Sequence, residues 1–293
     1  MAEQVIKSDL DFVKGVIASG GESLKKCYQC ATCSVVCKVT PDNKPFPRKE
    51  MIYAQWGLKD RLINNPDIWL CHQCSDCTAY CPRGAKPGEV LGAIRKLSIQ
   101  HYAFPQFLGK AVAEAKYLPL LFAVPIILFL AILASLGNLR IPEGEIVFAK
   151  FMPVLYIDAI FIPVASFAAL AFAIGILRFW KDMNINPWRM KLKGALPPTI
   201  ISTIGEILLH KRFNKCELTK ARSSSHLYVF YGFVGLAITT TWAIYYLYGL
   251  NWESPYPLTD PLKMLGNFSG ILLLLGITLV VTNRFKNKEK ADI

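Results

Sequence analysis

Of the chain's nine cysteines, eight fall into two copies of one spacing: Cys27, Cys30, Cys33, Cys37, and then Cys71, Cys74, Cys77, Cys81, the second closed by Pro82. This C-x2-C-x2-C-x3-C run is the pattern of chains that hold two [4Fe-4S] clusters. Three thiolates two residues apart can wrap one loop around three corners of a cuboidal cluster. The cysteine three residues further on lies too far round to close the same cube, and in two-cluster ferredoxins it ligates the other one. The expected ligand sets are therefore Cys27, Cys30, Cys33 and Cys81 for one centre, and Cys71, Cys74, Cys77 and Cys37 for the other. Structural zinc also takes four thiolates, but usually from separated C-x2-C pairs. Disulfides need an oxidising compartment, and no secretory signal is apparent here. One departure is that the first run continues Lys38-Val39-Thr40-Pro41, so its proline is displaced.

The elements that must position these cysteines read as helices. Pro47 can open a helix, Met51, Ile52 and Trp56 give it one apolar stripe, and Gly57 sits where it could end. Behind the second run, residues 89–100 place Val90, Leu91, Ile94 and Leu97 on a common face. Residues 1–110 thus read as an α-helical ferredoxin domain organised around its clusters. The composition then changes. With 53% hydrophobic residues and a mean hydropathy of +0.33, the chain is too apolar for an ordinary soluble protein, and the excess lies after Tyr117. Four stretches, 117–137, 155–179, 227–250 and 262–282, reach the roughly 20 residues that cross a bilayer as helix. The first follows a whole domain, so it is not read as a signal peptide. The expectation is an all-α chain: an α-helical dicluster ferredoxin domain followed by a four-helix transmembrane domain over 111–293.

With four spans, the ferredoxin domain, the loop 181–225 and the tail share one side of the membrane. Of 33 basic residues, only Arg140, Lys150 and Lys263 fall toward the other. The positive-inside rule then places both termini and the clusters on the cytoplasmic side of the inner membrane. It also explains the net charge of +12 as a basic face touching anionic membrane lipid, with no nucleic-acid partner, since no base-reading motif accompanies it. Within the loop 181–225, Pro197-Pro198 opens a pattern of Ile200, Ile204, Ile207 and Leu208 that predicts an amphipathic surface helix ending with Lys211 and Arg212 in its last turn. It carries His210, and His226 opens the third span. Both are candidates for cofactor binding, as axial ligands of a haem b or as quinone-site residues. Gly232 and Gly235 project away from the His226 face and are expected to let helices pack closely. His72 reads as a neighbour that tunes a cluster, and Cys216 as a spare thiol.

At this point the chain resembles a known family. Its first half, through Cys27-Tyr-Gln-Cys30-Ala-Thr-Cys33-Ser-Val-Val-Cys37 and Cys71-His-Gln-Cys74-Ser-Asp-Cys77-Thr-Ala-Tyr-Cys81-Pro82, is similar to the iron-sulfur C-subunit of heterodisulfide reductases. The second half, through Ile207-Leu-Leu-His210-Lys-Arg-Phe213 and His226-Leu-Tyr-Val-Phe-Tyr-Gly232-Phe, resembles their E-subunit, a membrane cytochrome b. The fusion of both resembles the membrane subunits of quinone-interacting membrane-bound oxidoreductase complexes of sulfate reducers. That resemblance implies two [4Fe-4S] clusters, a haem b with His210 and His226 as candidates, and menaquinone as substrate. It also implies flavin and iron-sulfur partners resembling the A-subunit of heterodisulfide reductase, with adenylylsulfate reductase beyond them. No nucleophile-base constellation and no GxGxxG run is present, so catalytic unknowns lie in a complex and not in this chain. The alternatives are a heterodisulfide reductase-type membrane subunit, for which no C-x-x-x-C-C-G motif occurs in cis, and a non-catalytic membrane anchor.

Overall fold

The structure is a computed structural model and describes residues 7–140, 151–185, 195–217, 220–252 and 254–286. The outer loop 141–150, part of the loop 181–225 and the last tail residues, all used in the charge argument, lie outside the described residues. Among the described residues every regular element is helical. In chain order the α-helices are α1 (Leu10–Ala18), α2 (Thr32–Val36), α3 (Arg48–Gln55), α4 (Lys59–Leu62), α5 (Asp67–Leu70), α6 (Asp76–Ala79), α7 (Pro87–Tyr102), α8 (Gln106–Ala113), α9 (Leu118–Ser135), α10 (Val154–Ile185), α11 (Leu196–Leu208), α12 (Lys220–Ile244) and α13 (Pro261–Lys286). The chain divides into two compact units, one of Met1–Arg95 with Asn186–Ile293 and one of Lys96–Ile185.

In the first unit, short helices surround a small core of Val16, Leu24, Met51, Leu62, Ile68, Val90, Leu91 and Ile94, all at most 1% exposed. The carboxylate of Asp9 caps α1 by accepting from the Phe12 amide at 2.8 Å, satisfying one of the helix's orphan donors. Helix α3 starts at Arg48, one residue after Pro47, and ends as Gly57 turns left-handed at φ +68°. The Leu58 amide then reaches back to Tyr53 O at 2.9 Å and the Gly57 amide to Ala54 O at 3.2 Å, a Schellman end that wants glycine. A Cβ on Gly57 would also stand 2.8 Å from the Asp9 carbonyl. Trp56 departs from the expected stripe. It is 53% exposed while Met51 is fully buried, because it follows the last helical residue, where the 3.6-residue period no longer sets its direction.

The same unit contains two of the four helices long and apolar enough to cross a membrane, those over Arg222–Gly249 and Pro261–Lys286. They pack through their small residues. A Cβ on Gly232 would stand 2.9 Å from Leu273, one on Gly235 2.1 Å from Ser269 Oγ, and one on Gly276 2.7 Å from Val229. Close backbone approach through glycine is what holds such helices together where lipid removes the hydrophobic drive.

The second unit holds the other two, Ala115–Ser135 and Val154–Ile185. The latter has 32 residues and so runs about 48 Å, well beyond a hydrocarbon layer of about 30 Å. It continues past the apolar stretch because Arg178, Lys181 and Asp182 remain helical in its last turns. There the Tyr102 hydroxyl donates to Asp182 Oδ2 at 3.1 Å, and the Tyr102 and Phe179 rings meet edge to face at 5.4 Å.

Candidate metal centres

The two cysteine runs fold alike. In each, the residue before the second cysteine and the residue after it are left-handed: Gln29 (φ 61°) and Ala31 (φ 72°) in the first, Gln73 (φ 50°) and Ser75 (φ 66°) in the second. Two such turns curl the backbone back onto the first sulfur of each run. The Gln29 amide donates to Cys27 Sγ and the Gln73 amide to Cys71 Sγ, both at 3.4 Å. The third cysteines, Cys33 and Cys77, lie on α2 and α6 and are both buried. Non-glycine residues in this region cost on the order of 1–3 kcal/mol each and persist only where the surroundings impose them.

Those surroundings are specific. Arg48 Nε donates to Gln29 O at 2.8 Å, and Gln55 Nε2 to Cys27 O at 2.9 Å and Leu24 O at 3.1 Å. At the second loop, Arg95 Nη2 donates to Cys71 O at 2.7 Å and Ile68 O at 2.6 Å. Gln73 lies against α7 where residue 92 is glycine; a Cβ there would stand 2.2 Å from Gln73 Nε2. None of these holding residues emerges from the sequence reading. The only visible signal is the glutamine repeated at the same place in each run.

Cys81 lies near enough to Cys27 and Cys33, and Cys37 to Cys71 and Cys74, for their charges to interact, and Cys33 and Cys77 interact across the two runs as well. Burial, reinforced by the neighbouring sulfurs, pushes the Cys33 thiol up to about 11 and the Cys77 thiol up to about 12. Cys30 is the opposite case: exposed, and lowered by hydrogen bonds from Thr32. Without a cation most of these groups hold their protons, so metal binding must release them. Eight thiols gathered by two like-folded runs, with an amide on the first sulfur of each, are a donor set that fits iron-sulfur clusters.

Residues 23–85 match the 4Fe-4S dicluster domain family. The chain is 38% identical over 85 residues to the heterodisulfide reductase C-subunit-like protein of Archaeoglobus profundus, covering 29% of this chain and 45% of that protein. It is 36% identical over 88 residues to the C-subunit of the H(2):CoB-CoM heterodisulfide,ferredoxin reductase of Methanothermobacter marburgensis, covering 30% and 47%. It is also 36% identical over 107 residues to iron-sulfur C-subunit 2 of the CoB--CoM heterodisulfide reductase of Methanocaldococcus jannaschii, covering 33% and 57%. The chain thus spans about half the length of the curated relatives it matches. Over this stretch the dicluster domain is homologous to the C-subunit of heterodisulfide reductase.

The two candidate histidines meet. Helix α11 ends at Leu208, earlier than the sequence pattern suggests, and His210 follows it in a left-handed conformation, φ 51°. Its amide bonds to Ile207 O and that of Lys211 to Glu206 O, both at 3.2 Å. This is another Schellman end, with histidine where glycine is usual, so Lys211 and Arg212 lie beyond the helix; Arg212 Nε folds back onto Glu206 Oε2 at 2.7 Å. The buried His210 contacts the exposed His226 in the second turn of α12, Nε2 to Nδ1 at 2.8 Å. His210 Nδ1 is buried without a partner. Phe213 stacks on His226 with centroids 5.3 Å apart and meets His72 edge to face at 4.6 Å. A ladder of rings therefore runs from α12 to the loop between Cys71 and Cys74.

Nitrogens ligating one iron from opposite sides stand apart by two bonds of about 2.0 Å each. Imidazoles hydrogen-bonded directly to each other and flanked by Phe213 and Phe230 leave neither that gap nor space for a porphyrin. His210 and His226 as placed do not fit a haem b held between them. Cys216, without a partner in the sequence, is 3% exposed, and its sulfur lies with Cys74 Sγ and an Asp76 oxygen inside a span of 4.8 Å.

Proposed function

We propose that this chain is the membrane subunit of a quinone-interacting oxidoreductase complex. It would pass electrons between menaquinol and cytoplasmic flavin and iron-sulfur partners resembling the A-subunit of heterodisulfide reductase, toward adenylylsulfate reductase in sulfate respiration. One observation carries the reading: the second cysteine run packs, through His72 and Phe213, on the histidine pair at the first turns of a membrane-length helix. When bound, the clusters supply one-electron carriers matched to a two-electron quinol.

The residues of the chain supply the rest. His226 is exposed at the end of its helix, where a lipid-soluble quinol can reach it, and its Nε2 is the nitrogen not engaged by His210. That nitrogen can accept a hydroxyl proton as the quinol is oxidised, and the buried His210 behind it can share the charge. Arg48 and Arg95 hold both cluster loops and bring positive charge to sites that gather thiolates. The exposed first loop, with Tyr28 67% and Val35 83% accessible, is the face offered to a soluble partner. The basic-residue count supports a cytoplasmic location for both termini and both centres.

The test is anaerobic, on the complex in native membranes. In His226→Gln, quinol-driven cluster reduction should fall at least tenfold, while dithionite reduces both clusters to the wild-type extent. Equal quinol-driven rates in variant and wild type would remove His226 from the route. A wild-type complex lacking about eight irons would remove the whole reading.

A further inference from the structure

The segment before α12 is fastened to the second cysteine loop at several points. The Glu217 amide donates to Asp76 Oδ2 at 3.1 Å, the Glu217 carboxylate pairs with Lys38, and Phe213 abuts His72. In the middle of this contact lies Cys216, buried, with its sulfur within 4.8 Å of the Cys74 sulfur. Four thiols, Cys71, Cys74, Cys77 and Cys37, already suffice for the four corners of one cuboidal centre. The ninth cysteine is thus left outside the ligand set with the Cys74 sulfur beside it, and the neighbouring Asp76 carboxylate accepts from the Glu217 amide.

We propose that Cys216 is a positioning residue of the second centre: its thiol donates to the Cys74 sulfur and so ties that centre's reduction potential to the seating of the loop that leads into the membrane. The inference rests on the dicluster reading above. Reduction adds negative charge to a cluster and its sulfurs, so a donor on a sulfur favours the reduced form and raises the potential. The donor here comes from residue 216, on the segment that continues into α12, and not from the cluster loop itself. Any displacement of that segment at the membrane surface would loosen the contact and lower the potential, linking events at the His210–His226 pair to the second centre without altering a ligand.

The experiment uses the detergent-solubilised complex, anaerobic metal analysis and redox titration followed by electron paramagnetic resonance. The second centre is identified as the signal that Cys74→Ser perturbs. Cys216→Ala should keep the wild-type iron content and shift the reduction equilibrium of that centre alone about tenfold toward the oxidised form, about 59 mV for a one-electron couple. Cys216→Ser, which retains a donor, should recover part of the shift. Unchanged potentials in Cys216→Ala would overturn the proposal, as would equal shifts in both centres. Loss of about half the iron in Cys216→Ala would make Cys216 a ligand and overturn it too. A wild type without two centres overturns the underlying reading instead, so the two failures are distinguishable.

Discussion

Glu50 is fully buried in the dicluster domain, and its environment fixes the sign of a pH effect. Lys49 Nζ lies 3.3 Å from Glu50 Oε1 but closer, at 2.6 Å, to Asp67 Oδ2. Asn65 Nδ2 donates to Glu50 Oε1 at 3.3 Å, and Oε2 is buried without a partner. Burial outweighs the attraction of Lys49, and Asp67 adds repulsion, so the carboxyl is pushed up to about 7 from an ordinary 4.5. The folded domain therefore binds this proton more tightly than the unfolded chain. Its contribution to stability is full below about pH 4.5 and is lost as pH rises toward 7. At about 1.4 kcal/mol per unit, the loss is about 3 kcal/mol. Glu50→Gln removes the titration. The amide's own hydrogen bonds do not titrate and add the same amount at every pH, so the pH slope is the readout. The assay is thermal loss of cluster absorbance in the solubilised chain, anaerobically, between about pH 5 and pH 8. The midpoint of Glu50→Gln relative to wild type should climb with pH and level off above 7. A difference that stays flat, or falls as pH rises, would refute the reasoning.

Three further outcomes are expected. Cys81→Ser should disturb the centre held mainly by Cys27, Cys30 and Cys33 and spare the other; iron and resonance losses confined to the second run's centre would sink the crossed pairing. Gly235→Val places its side chain where Ser269 Oγ would stand 2.1 Å from the new Cβ. It should cost about 1–3 kcal/mol in packing of α12 on α13, read as a lowered detergent unfolding midpoint, whereas Gly270→Ala, with open space around it, should be close to neutral. Protease added to sealed right-side-out vesicles should leave the ferredoxin domain intact, and its removal from outside would invert the proposed topology.

How far the sequence reaches depends on the range over which each constraint acts. Cysteine spacing is local: a cluster corner demands a thiolate two residues from the last, so the runs can be read without a fold. Apolar length is local as well, and the helices over Ala115–Ser135, Val154–Ile185, Arg222–Gly249 and Pro261–Lys286 overlap the four expected stretches, differing mainly where charged residues extend a helix past its apolar part. Helix ends are less legible. Trp56 looks like core because it continues a period that Gly57 has already broken, and the α11 pattern conceals a turn at His210 because histidine, unlike glycine, gives no warning of a left-handed residue. Contacts between segments are not legible at all. Phe213 meets His72, and Cys216 meets Cys74, across more than a hundred residues with nothing periodic between them. Arg48 and Arg95 look like ordinary surface cations until their guanidinium groups are found on the carbonyls of the two cluster loops. These long-range contacts decide what the local motifs can do. A cysteine run specifies that electrons can be held; the ring contacts from His72 through Phe213 to His226 are what set the second run beside a helix long and apolar enough to cross a membrane.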